Sequence, residues 1–210
     1  MKKTLIALLA LAGIAAAGTE ETITLQPAPQ TACTWQPEFS LEYLHGYADH
    51  KGEVDTDGIR AGFSIYTNTD SKFSHQFSLN LGYEWGDLSE SHDGITDKMI
   101  DSTMTSLTLG YDLNYALTEK FTVFVGAKAG WSLCDYEFSV PHYNVKWEED
   151  MDGFTYSIGA GVKYQITESV HVKAGYEFNR TYYGECGPAK ARHNIIPCLH
   201  VFSVGVGYQF

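Results

Sequence analysis

Eight charged side chains stand where charge is costly. Glu42, Arg60, Glu84, Asp112, Lys128, Lys163, Lys173 and Glu177 each fall inside a stretch in which every second residue is apolar. Four are acids and four are bases. They can therefore neutralise one another, and charges withdrawn from water persist only when paired and hydrogen-bonded. Two kinds of chemistry would use such a set. One is a salt-bridge network that plugs an enclosed interior. The other is a gate, in which an exchange of partners opens a narrow ion path. A small interior favours the plug, because it is filled by side chains.

Other constellations carry weaker signals. Glu53-Val54-Asp55-Thr56-Asp57-Gly58 and Glu148-Glu149-Asp150-Met151-Asp152-Gly153 space carboxylates ahead of a glycine, like the front of a calcium loop. The distal Glu is missing, since Ser64 and Gly159 hold its places. That leaves Asp55, Asp57, Asp150 and Asp152 as weak metal candidates, and Asp-Gly is also an ordinary turn. His50, His92, His142 and His193 fall one to each long connection, where histidine is usually solvated. No metal or other cofactor is expected. Cys186 and Cys198 flank the last long connection, and a disulfide there would close a short loop. Cys33 and Cys134 fall at opposite ends of the pattern and stay unassigned. The candidate nucleophile sets are incomplete. His200 and Ser203 have opposite parity in one strand, and Ser91-His92 lacks an orienting acid. No enzyme activity is expected.

The elements that must position these residues are strands. Alternation with a period of two recurs eight times. One face carries Phe39 to Tyr47, then Ile59 to Ile65, Phe73 to Trp85, Leu107 to Tyr115, Phe121 to Leu133, Phe154 to Tyr164, Val170 to Phe178 and Phe202 to Phe210, and this face has no Asp, Glu, Lys or Arg. The interleaved face is rich in Gly, Ser, Thr, Asn and Gln and holds the eight charges. Short turns at Asn68–Lys72, Ala116–Lys120 and Ile166–Ser169 alternate with longer connections at 48–57, 86–101, 135–152 and 180–198. This arrangement predicts an all-β, eight-stranded, antiparallel up-and-down barrel with short turns at one end and long loops at the other. The first three long connections are acidic, a solvated and self-repelling rim that would also attract cations.

Periodicity alone does not say which face points outward. A soluble barrel keeps its apolar face inside, whereas a membrane barrel turns it to lipid. The polar face is too poor in charge and too rich in glycine for an ordinary soluble surface. Aromatic residues gather near both strand ends: Phe39, Phe73, Tyr115, Phe121, Tyr164, Tyr208 and Phe210 at one, Tyr47, Trp85, Trp131, Phe154 and Phe178 at the other. Rings at two rims are the girdles expected at two membrane interfaces. The apolar face therefore points outward, and the eight charges line the lumen.

The termini agree with export. Lys2 and Lys3 precede an apolar run ending in Ala15-Ala16-Ala17, the plan of a cleaved secretory signal over 1–17. Residues 18–37, with Pro27, Pro29 and Pro37, read as a periplasmic arm, and 38–210 as the barrel. The net charge of −12 without a basic cluster argues against a nucleic-acid partner.

The pattern, the terminal Tyr208-Gln209-Phe210 and the turn Ala116-Leu117-Thr118-Glu119-Lys120-Phe121 resemble those of the eight-stranded outer-membrane barrels, the OmpA-like, OmpX-like and opacity-type porin superfamily. The resemblance implies residence in the outer membrane of a Gram-negative-type bacterium, among lipid and lipopolysaccharide. It also implies insertion by the barrel assembly machinery, with Phe210 as the assembly signal. A structural or surface-interaction role, adhesin-like and exercised through the loops with an extracellular partner, is the expected function. A narrow porin-like channel with a charged lumen is the alternative, and a lipid-modifying enzyme is a third.

Overall fold

In the computed structural model, the described residues are 35–50, 52–68, 72–92, 95–140, 145–183 and 198–210. They form eight strands: β1 (Trp35–His50), β2 (Gly52–Asn68), β3 (Phe73–His92), β4 (Ile95–Ala116), β5 (Phe121–Val140), β6 (Val145–Gln165), β7 (Val170–Tyr183) and β8 (Leu199–Gln209). Each pairs antiparallel with its neighbours in sequence, and β8 returns to β1 to close the barrel. The closing seam runs from Glu38 opposite Gln209 to Tyr47 opposite His200. Closure leaves no open edge along the membrane span, so the backbone groups there are satisfied within the ladder, as lipid requires.

The faces are assigned by exposure. Phe63, Leu79, Leu109, Trp131, Ile158 and Phe202 are among the exposed large apolar residues, while Glu38, Glu42, Arg60, Gln76, Asn114 and Glu177 are buried. The usual globular arrangement is inverted. Between Phe73 and Trp85 the outward face of β3 is continuously apolar or aromatic, His75 apart, roughly 40 Å of strand. A tilt of about 40° converts this to roughly 30 Å of height, enough for the apolar band and its girdles.

Two boundaries differ from the expectation. β1 begins at Trp35, so residues 35–37 belong to the barrel rather than to the arm. Pro37 can sit there because pairing to β8 begins only at Glu38. A missing N–H is tolerated at a strand start. The larger difference is at the far rim. The polar stretches 48–57, 86–101 and 135–152 are mostly strand, and β3 to β6 run to 20, 22, 20 and 21 residues. Above the bilayer a strand no longer needs an apolar outer face, so period-two hydrophobicity stops while backbone pairing continues.

At the near rim the strands stop at Asn68, Ala116 and Gln165 and resume at Phe73, Phe121 and Val170, which is where the sequence places the turns. Thr118 and Thr167 side chains accept from backbone N–H groups within their own turns. Each connection is also tied to the next strand end: Ala116 N–H donates to Lys72 O, Gln165 N–H to Lys120 O and Gln209 N–H to Ser169 O.

Candidate functional site

The lumen is a stack of three layers. At the near rim Glu38 is completely buried. Its carboxylate accepts from Ser64 Oγ and Gln76 Nε2, each at 3.4 Å, and lies 3.6 Å from His171 Nε2. Beside it Lys163 Nζ donates to Tyr66 Oη, Gln76 Oε1 and Asn114 Oδ1, all at 2.7 Å. Three donors meet three neutral acceptors, and the ammonium also lies 4.8 Å from the Tyr66 ring and 5.1 Å from the Phe124 ring. Phe124 fits inside because Gly161 and Gly175 face it. A Cβ on Gly161 would stand 2.5 Å from the ring.

The middle layer is ionic. Glu177 receives both terminal nitrogens of Arg60, at 2.7 and 3.1 Å, together with Ser157 Oγ at 3.2 Å and the Lys128 ammonium. Glu42 pairs with Lys173 at 2.7 Å and lies 3.8 Å from Arg60. A bidentate guanidinium–carboxylate pair is among the strongest and most directional of ionic contacts. The cavity left among Glu42, Asn80, Asp112, Phe124 and Lys128 measures about 10 Å³, the size at which a space just admits one water. Glu84, higher in the lumen, is buried with Oε2 lacking a hydrogen-bond partner.

Toward the far end apolar side chains form a partial cap. Leu44, Ala48, Leu199 and Val201 form a buried cluster, and Met104, Cys134 and Met151 are buried on the facing strands. Polar residues dominate the inward face lower down, and parity alone did not signal this cap. Its residues are nevertheless visible as inward positions once the strands are extended past the girdle. Glu38 and His171 are two further lumen groups that the pattern underplays. Glu38 follows Pro37, which reads as an arm residue, and His171 opens its strand between Val170 and Val172.

Outside, β3 to β6 raise a wall beyond the aromatic girdle. Asp87 stands opposite Asp101, Asp135 opposite Asp150 and Glu137 opposite Glu148. They flank a groove of about 400 Å³ lined also by Trp85, Thr103 and Tyr136. Lys146 bridges Glu137 at 2.8 Å and Glu148 at 3.4 Å. Its hydrogen bond to Glu137 pushes the ammonium pKa up. Local desolvation and the neighbouring Asp87 carboxylate push the Asp101 carboxyl above its usual range. β7 stops at Tyr183 opposite Gly153, so residues 145–152 of β6 pair only with β5 among the described residues.

Asp55 and Asp57 lie along β2, and Asp150 and Asp152 along β6, within extended backbone rather than curled loops. The compact twelve-residue turn by which a calcium loop gathers its ligands is therefore not formed around them. Asp57 instead accepts from the Tyr43 hydroxyl and contacts His45 Nδ1 at 3.1 Å. Asp152 accepts from Trp131 Nε1 at 3.0 Å. His200 faces outward against Tyr47 and meets Tyr176 Oη at 2.5 Å, while Ser203 is buried on the other face. Cys186, and with it the bridge to Cys198, lies outside the described residues. So do residues 1–34 and the side chains of His50, His92, His142 and His193. Phe210 donates its backbone N–H to Pro37 O at 3.0 Å and presents an exposed ring.

Residues 5–210 match the family model described as the outer membrane protein beta-barrel domain. Outer membrane porin F of Pseudomonas fluorescens is 30% identical over 142 residues, 67% of this chain and 40% of that protein. The chain thus spans less than half the length of that relative. A major outer membrane protein of Thermus thermophilus shares the fold with a TM-score of 0.50 at 12% identity, over 83% of this chain and 99% of that one. Ail, the attachment invasion locus protein of Yersinia pestis, crystallised with the heparin analogue sucrose octasulfate, aligns with a TM-score of 0.48 at 14% identity, over 84% and 99% of the two chains.

Proposed function

The chain belongs to the outer-membrane protein β-barrel family, and from that premise we propose that it works at the cell surface through its exterior, not by passing solutes. The closed lumen carries this proposal. Its middle layer retains a space of about 10 Å³, and an apolar cluster on β1 and β8 forms a partial cap toward the far end. Ions crossing such a path would have to separate the Arg60–Glu177 pair and then shed water at the cap. The surface available for work is the wall of β3 to β6, with its acidic outer face and the edge of β6 at 145–152 that is unshared among the described residues. An edge strand can accept an extended partner through main-chain hydrogen bonds, and the carboxylates select for a cationic one. In this role the barrel is a membrane anchor with no catalytic step. Lipid and lipopolysaccharide surround its belt, the barrel assembly machinery inserts it, and an extracellular partner meets the wall.

Planar-bilayer recording of the refolded barrel tests the proposal, with folding checked by the heat-dependent gel shift. Wild type and Lys128→Ala are both expected to be silent. Oligolysine is expected to bind in a salt-sensitive way and to lose affinity when Asp101 and Asp150 are changed to Asn. Discrete current steps that Lys128→Ala alters would overturn the proposal in favour of the narrow channel.

A further inference from the structure

We propose that Met104, Cys134 and Met151 form a binding site for a soft monovalent metal ion, of the Cu(I) or Ag(I) class, at the far end of the lumen. Met104 on β4 stands directly opposite Cys134 on β5, and Cys134 stands directly opposite Met151 on β6. All three face inward and are buried, with relative exposures of 7%, 0% and 6%. Directly opposed residues on one face of a sheet have Cβ atoms about 5 Å apart. A thiol one bond beyond Cβ and a thioether two bonds beyond it can then close on a common centre between the strands. The chain holds only four methionines and four cysteines. Two of those methionines flank one of those cysteines in a single register row.

The donor set selects the ion. Thioether and thiolate sulfurs are soft ligands that favour Cu(I) and its d¹⁰ relatives over hard or borderline cations. Charge makes the choice sharper. One thiolate and two neutral thioethers leave a monovalent ion electrically neutral, as a buried position beside an apolar cap requires. A divalent ion on the same three ligands would keep a net positive charge. Binding breaks the Cys134 Sγ–H bond, forms sulfur–metal bonds and releases the proton to water, with no change of oxidation state. The same register row continues to Glu84 on β3, opposite Met104. Glu84 Oε2 and, two residues below Cys134, Ser132 Oγ are buried with no hydrogen-bond partner. Glu84 and Ser132 carry hard oxygen donors, which a soft ion passes over in favour of the three sulfurs.

Cu(I), supplied under anaerobic conditions with a chromophoric chelator as competitor, tests the site on the full-length folded barrel. Cys33→Ser, Cys186→Ser and Cys198→Ser together provide a background in which Cys134 is the sole thiol. One equivalent is expected to bind in that background, with X-ray absorption showing sulfur neighbours alone. Met104→Leu and Met151→Leu conserve volume and are expected to weaken binding by at least about tenfold each, since even outer-sphere changes cost that much. Cys134→Ser should abolish it. The gel shift confirms that each variant is folded. Absence of binding to the background barrel would overturn the proposal, as would nitrogen or oxygen neighbours at the metal or affinity unchanged by both Leu variants.

Discussion

At the scale of single residues, Glu177 is the hub of the lumen. It holds Arg60, Lys128 and Ser157 at once. Removing one partner of a buried pair leaves an uncompensated charge, at a cost of about 3–5 kcal/mol. Glu177→Ala should therefore lower the unfolding free energy in lipid by that amount, measured by denaturant titration. The paired change with Arg60→Met should recover much of it, because two stranded cations become one. On the outer wall the effect of pH has a definite sign. Asp101 has a raised folded pKa, so the folded state holds its proton more firmly than the unfolded chain does. Stability of the β3–β4 tip should fall as pH rises from the ordinary Asp range through that raised value, and recover on acidification. The change is no more than about threefold in the opening equilibrium, since exposed charges are screened. Hydrogen exchange of the tip against pH reads it directly, and Asp101→Asn should flatten the profile.

Elements explain what could be read in advance. The three near-rim turns were legible because apolar alternation stops on both sides of a short polar break. Inward and outward faces were legible because a strand has only two. The partners of the lumen charges were not, since parity assigns a face but not a height or a neighbour across the barrel. Arg60 and Glu177 are 117 residues apart and meet only because the closed sheet brings β2 and β7 to face one another. The upper parts of β3 to β6 were not legible either. Beyond the bilayer both faces are wet, so nothing in the hydrophobicity separates strand from loop. Within the strands, close approach sets its own limits. Gly161→Val would drive a side chain into the Phe124 ring and loosen the cover over Lys163. Overpacking of this kind costs about 1–3 kcal/mol, and the lowered transition should appear in the temperature at which the folded gel band is lost.

At the scale of the whole molecule, the last strand closes what the first one opens. Ten residue pairs join β8 to β1, and Phe210 adds a final hydrogen bond to Pro37. Among the described residues it is the most exposed of the large apolar side chains, at 72%, and its ring meets Tyr208 edge-on at 5.0 Å. It is thus available to be gripped before closure while contributing little to the finished packing. Deletion of Phe210 should slow assembly into membranes severalfold and leave the unfolding midpoint of the finished barrel nearly unchanged. Normal insertion kinetics of the truncated chain would remove the residue from any role in assembly.

The near-rim latches give the barrel a mechanical direction. Because each connection is bonded to the following strand end, force applied from below is shared around a hoop. Above the girdle there is no such hoop among the described residues, and residues 145–152 of β6 hold on one side only. A pull on any one near-rim turn must rupture contacts in the neighbouring hairpin as well, so that rim gives way as a ring and not strand by strand.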